Sequence, residues 1–142
     1  MNILISDMVR MDASDDALAR FARAFPSGAS ISRPQLEQYH YQHRDVEVLL
    51  HANPHALGAY RAYLKSRLAR LGVDRYQIFK DMAMKITDEN PGLLIIDLPK
   101  EPAFAEFLAQ SDDLHMKFVE DTNKKMTDIL ITYFHGGGVK SE

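Results

Sequence analysis

The chain of 142 residues has no cysteine. Disulfides, thiolate metal sites and cysteine nucleophiles are excluded, and a reducing compartment fits. Long apolar runs are also missing. None approaches the roughly 20 residues needed to cross a bilayer. The opening residues, MNILISDM, lack a basic leader and a long apolar core, so no secretory signal is expected. The expectation is a cytoplasmic protein with no membrane contact. Glycine clusters only at Gly136-Gly137-Gly138, which opens no helix and has no Lys-Ser/Thr beside it. That run terminates a helix rather than cradling a phosphate. No serine sits in a Gly-x-Ser-x-Gly turn, and there is no internal repeat.

Ordinary amounts of everything else are present. Hydrophobic residues make up 46% and charged residues 26%, as in soluble globular proteins. One helical domain over residues 1–135 is the default at this length, with a flexible tail over 136–142. Net charge is −3, which argues against wholesale coating of nucleic acid. The distribution says more than the sum. Residues 54–85 hold seven cations against two anions, whereas residues 86–122 hold nine anions against two cations. Such segments can fold against each other or display faces of opposite sign to partners.

The best-specified stretch is 54–71. Asn53 suits a helix N-cap, Pro54 the first turn, and Gly72 the left-handed stop. Leu57, Leu64, Leu68 and Leu71 share a stripe expected to face the core. Beside it run Tyr60, Tyr63, Arg67 and Arg70, with Arg61 and Lys65 on the opposite flank. Either this is a core helix whose tyrosines fill the core edge while its cationic stems reach out to water, or the Tyr/Arg row is a contact surface, since those residues are enriched at interaction hot spots.

Elsewhere the signals are local. Ser14 caps a helix bearing Leu18, Phe21 and Phe25, stopped by Pro26-Ser27-Gly28. Ser32 and Gln35 form a capping-box pattern for a helix with a seam of Leu36, Tyr39, His43, Val46 and Leu50. Asp74 and Gln77 suggest a second cap after Gly72, for a helix through about Asp88. Leu93–Leu98, between Pro91 and Pro99, reads as a buried strand or extended segment, with Ile3–Ile5 and Ile129–Phe134 as its candidate partners. Pro102 opens a short helix to Gln110. Ser111 caps another, read as running to Phe134, with a strand over 129–134 as the competing reading. The fold class is therefore mainly α: a compact bundle of five to six helices with a minor two-stranded sheet of residues 2–6 and 93–98.

No catalytic constellation stands out. His40 and His43 lie three apart on one helix, and the Asn-Pro boundary interrupts His51 and His55, so neither pair supplies the three or four ligands a metal site needs. No metal and no cofactor are expected. Acidic pairs such as Asp15-Asp16 and Asp112-Asp113 fall at helix starts, where they suit the dipole. The function expected is a macromolecule-binding module, an adaptor, chaperone or inhibitor that occupies a partner protein's surface. Its candidate residues are Tyr60, Arg61, Tyr63, Lys65, Arg67 and Arg70. An acidic patch of Asp88, Glu89, Asp97, Glu101 and Glu106 would capture a basic partner. The alternative is nucleic-acid binding through the basic helix 54–71, in a helix-turn-helix with 34–50. A further alternative is an enzyme whose site is assembled from distant residues. A homodimer is also compatible with the seam and the seven methionines.

Overall fold

The computed structural model describes residues 2–136. The protein is mainly α, with a small two-stranded antiparallel sheet. The order is β1 (Asn2–Ile3), α1 (Ile5–Arg10), α2 (Asp15–Ala24), β2 (Ala29–Ser30), α3 (Arg33–Gln42), a 3-10 turn (Val46–Ala52) and α4 (Pro54–Glu89). A second 3-10 turn (Ile95–Lys100), α5 (Pro102–Leu130) and a π-helical turn (Ile131–Gly136) complete it. Of the tail expected over 136–142, residues 137–142 lie outside the described residues. Contacts gather the chain into two compact units: residues 2–63 with 122–136, and residues 64–121.

The first unit holds the dense core. Ser14 Oγ accepts from the Ala17 amide at 3.2 Å and starts α2, and Ser32 Oγ accepts from Gln35 and starts α3. Ile3, Met8, Phe21, Ile31, Leu36, Val48, Leu49, Leu50 and Leu130 are essentially sealed from water. Phe25 packs between Phe21, Tyr39 and His43 with ring centroids 5.0–5.7 Å apart. The sheet pairs Asn2 with Ser30 and Ile3 with Ala29. Gly28 makes that pairing possible: its φ is +91°, and a Cβ there would lie 2.8 Å from Leu4 Cδ2 and 3.0 Å from the Ile3 carbonyl oxygen.

This pairing corrects the expected sheet. The partner of the N-terminal strand is 29–30, and residues 95–100 wind into a 3-10 helix instead. That segment turns its amides onto its own carbonyls, as in Asp97 N to Leu94 O at 2.9 Å. The expected helix 34–50 is also divided. The chain leaves α3 at His43 (φ −127°, ψ 116°) and re-coils at Val46, so His43 packs against Phe25 and Tyr39 rather than continuing a seam.

The second unit is a helical hairpin. Gly72 does not stop α4, which runs unbroken for 36 residues. One glycine costs a helix interior about 1 kcal/mol relative to alanine, and its neighbours outweigh that. Asp74 pairs with Arg70 one turn back at 3.1 Å instead of capping, and Gln77 bonds to Asp81. Ser111 likewise starts no helix. It is buried within α5 and accepts from Arg75 Nε at 2.8 Å. Phe79 meets Phe107 edge-on at 5.5 Å, and Phe104 lies 5.8 Å from Phe107. Within this unit only Met82, Ile86 and Ser111 are buried.

Candidate functional site

The Tyr/Arg row does not stand free at the surface. Tyr60 is 5% exposed. Burial pushes its hydroxyl up to about 12, helped by the Glu47 carboxylate, to which it donates a hydrogen bond. Tyr63 is half-buried, with Lys125 Nζ 5.7 Å from its ring centroid. Arg67 donates to Asp121 at 3.1 Å, and Arg70 pairs with Asp74. Arg61 and Lys65 are exposed. The row's aromatic border is thus packing, and two of its cations are engaged by carboxylates. The leucine stripe beside it is also less buried than expected. Leu57, Leu64 and Leu71 are half-buried, and Leu68 is exposed. From Leu64 on, α4 is flanked within its unit by α5 alone, and a helix pair leaves the margins of the inner stripe partly wet.

Helix-turn-helix geometry is absent from 34–71, because α3 ends at Gln42 and a 3-10 turn intervenes before α4. Asn53 caps α4 as expected. Its Oδ1 accepts from the amides of His55 and Ala56 at 2.9 and 3.2 Å, and its Nδ2 donates to the Tyr133 carbonyl in the π-helical turn.

The histidines are dispersed. His40 Nε2 lies 2.9 Å from Thr127 Oγ1, and burial holds the imidazole below its usual value, against the opposing pull of Glu37. His51 is also lowered, first by burial and then by the nearby Arg20 and Arg61. Among the described residues no three His, Asp or Glu side chains gather as metal ligands.

Two shallow grooves run along one side of the hairpin. One, of about 170 Å³, is rimmed by Asp81, Lys85, Glu106 and Gln110 over Ile78, Met82 and Phe107. The other, of about 210 Å³, is rimmed by Arg67, Arg70, Asp74 and Lys117 over Leu71, Leu114 and Phe118. Both are smaller than the roughly 300–1,000 Å³ of pockets that enclose a small molecule. They are amphipathic surface, with charges of both signs already interleaved.

The acidic residues bracket the hairpin's connecting end. Asp88 and Glu89 are exposed in the last turn of α4. Asp97 pairs with Lys100 at 3.0 Å, and Glu101 lies half-buried just before α5. Glu106 sits apart, on a groove rim. Between the brackets lies what the sequence reading missed. Leu94, Ile95 and Ile96 are 65%, 89% and 78% exposed. Their apolarity suggested a core strand, whereas the short Pro91–Pro99 spacing between two long helices was the available sign of a hairpin turn.

No protein-family model, curated protein or solved structure matches the chain.

Proposed function

We propose that this chain is a protein-binding module whose contact is made by the hairpin's connecting end. Three consecutive aliphatic side chains in water carry the reading: Leu94, Ile95 and Ile96. Burying them in a partner's pocket would contribute on the order of 5 kcal/mol before the costs of association. Asp88, Glu89, Asp97 and Glu101 flank them and select a partner with a basic rim. The same carboxylates disfavour docking on an anionic bilayer. Nucleic-acid binding through 54–71 has less behind it, since Arg67 and Arg70 are held by Asp121 and Asp74. Titrating random duplex against the protein at low salt is expected to give no binding.

A photo-crosslinking residue placed at Ile95, with a control at the equally bare Tyr41 of the first unit, tests the reading in cells. The expected result is a discrete protein adduct from position 95 that survives nuclease and fades when Asp88 and Glu89 are reversed to lysine. Equal labelling from both positions, or an adduct indifferent to charge reversal, would mean that the exposed aliphatics are only a turn.

A further inference from the structure

The two sides of the hairpin are chemically unlike. The grooves define one side, rimmed by Arg67, Asp74 and Lys85 on α4 and by Glu106, Gln110 and Lys117 on α5. At about 100° per residue, the opposite side carries Leu68, Ala69, Gly72 and Tyr76 from α4 and Leu108 and Val119 from α5. Leu68, Tyr76, Leu108 and Val119 are 49%, 68%, 47% and 42% exposed. Leu68 and Tyr76 of α4 and Leu108 and Val119 of α5 therefore stand on the side away from the grooves, with Lys65 and Asp112 among them.

Gly72 lies in the middle of that side. A Cβ built there meets nothing within 4 Å. Nothing within the chain calls for glycine at a mid-helix position where alanine would be more stable. A bare backbone at the centre of an apolar face fits the close approach of another helix.

We infer that this face docks on the same face of a second copy, the two hairpins forming an antiparallel four-helix arrangement about a two-fold axis along the hairpin. Charge fixes the occupant and the orientation. Off the grooves, residues 64–85 of α4 hold three cations (Lys65, Arg75, Lys80) and no anion, and residues 102–121 of α5 hold four anions (Asp112, Asp113, Glu120, Asp121) and no cation. An axis along the hairpin lays α4 of each copy on α5 of the other, positive on negative. The perpendicular axis would lay α4 on α4 and α5 on α5, like on like, which association disfavours. One self-complementary patch on both partners is what a two-fold interface requires. The area is sufficient. Twenty residues of paired helix give a face of roughly 30 Å by 20 Å, hence about 1,200 Å² buried between two copies, at the lower end for specific interfaces. The arrangement also sets both Leu94–Ile96 ends side by side, which would give the proposed protein contact avidity. The dimer itself does not depend on that contact.

The internal register gives a direct test. Arg75 bonds to Ser111, and Phe79 meets Phe107, so Gly72 is level with Leu114, whose neighbour His115 is exposed. In the dimer Gly72 of one copy faces His115 of the other. The native chain has no cysteine, so introduced thiols report cleanly. Gly72→Cys and His115→Cys proteins are expected to form a disulfide-linked dimer when mixed and oxidised, and neither is expected to do so alone. Sedimentation of the native protein at micromolar concentration and low salt is expected to show a dimer that weakens as salt rises. Leu108→Glu with Val119→Glu should weaken it at least tenfold. Gly72→Leu, at a site with open space, should do the same while leaving helical content and melting intact, which keeps the test clear of misfolding. A monomer at 100 μM and low salt would overturn the inference, as would a dimer untouched by Gly72→Leu or cross-linking between two Gly72→Cys copies. None of these outcomes involves Ile95 or an outside partner, so failure here is distinct from failure of the proposed function.

Discussion

The same two helices behave differently in the two units they traverse. In residues 2–63 and 122–136, α4 and α5 contribute Ala56, Tyr60, Met126, Ile129 and Leu130 to a core that also draws on β1, α1, α2 and the 46–52 turn. In residues 64–121 each helix has only the other. The result is three buried side chains instead of a core, and ten large hydrophobic residues left exposed between Leu68 and Val119. Helix formation is equally secure in both places. What differs is the number of neighbours that cover each face, and a helix pair can bury only one stripe of each member. Stability is therefore concentrated in the first unit, and uncommitted apolar surface in the second.

The most forceful way to break this comparison is to cut matching holes in both units. Phe21→Ala removes a ring that is 1% exposed and is expected to cost about 3–5 kcal/mol. Phe107→Ala removes a half-buried ring from the hairpin seam and should cost roughly 1–2 kcal/mol, because part of the ring is already wet. Urea midpoints of the two variants measure the contrast, and equal losses would mean that the hairpin is as tightly packed as the core.

Hydrogen exchange sharpens the same point without mutation. Amides of residues 70–89 and 102–118 should open with a free energy lower by about 1–2 kcal/mol, roughly tenfold or more in rate, than those of α2 and the 46–52 turn. That gap should narrow as protein concentration rises, if the hairpin faces pair between copies. Uniform protection along α4 from Ala56 to Ile86 would refute the division.

A smaller effect is expected at the hairpin's ion pair. Arg67 and Asp121 side chains are 40% and 33% exposed, and among the described residues Arg67 Nε has no hydrogen-bond partner. A single-point pair of that exposure contributes about 0.5–1 kcal/mol. A double-mutant cycle with Arg67→Ala and Asp121→Ala measures it, and a coupling above 2 kcal/mol would show the pair to be more sheltered than its geometry implies.

These expectations follow from packing, and packing is where sequence reasoning succeeded least. Ser14, Ser32 and Asn53 were legible as caps because capping is settled within four residues. The α-helical continuation to Leu130, against a strand over 129–134, was legible from its broad apolar face. Gly72 and Ser111 misled because their local meaning is a stop and a start. A seam of Leu71, Phe79, Phe107 and Leu114 carries both helices through those positions, and Ser111 is used by Arg75 instead. Leu94-Ile95-Ile96 misled for the opposite reason. Apolarity predicts burial only when there is something to be buried against, and no neighbouring sequence reveals that nothing is. Tyr60 was legible as a core-edge tyrosine in one of the two readings of 54–71, but its partner was not, because Glu47, whose carboxylate accepts the hydrogen bond, is brought near only by the 46–52 turn.

The smallest expected effect is acid sensitivity confined to one unit. His40 is held below the usual imidazole value by burial, with Glu37 opposing. Burial also lowers His51, reinforced by Arg20 and Arg61 and opposed by Glu47 and Asp16. A histidine lowered on folding binds its proton more readily when unfolded. Its contribution is complete above the unfolded value of 6.5, declines as pH falls through 6.5, and levels off below the lowered folded value. Both imidazoles are partly open to water, so the loss should stay below the several degrees of melting temperature that 1 kcal/mol produces. Replacing His40 with glutamine keeps a partner for Thr127 and removes the titration. The native protein should melt lower at pH 5 than at pH 7.5, and His40→Gln with His51→Gln should recover part of that difference. Exchange measured across the same interval should quicken at amides of residues 2–63 and 122–134. If the hairpin amides quicken first, the acid-sensitive groups lie elsewhere, and the division of stability between the two units is drawn in the wrong place.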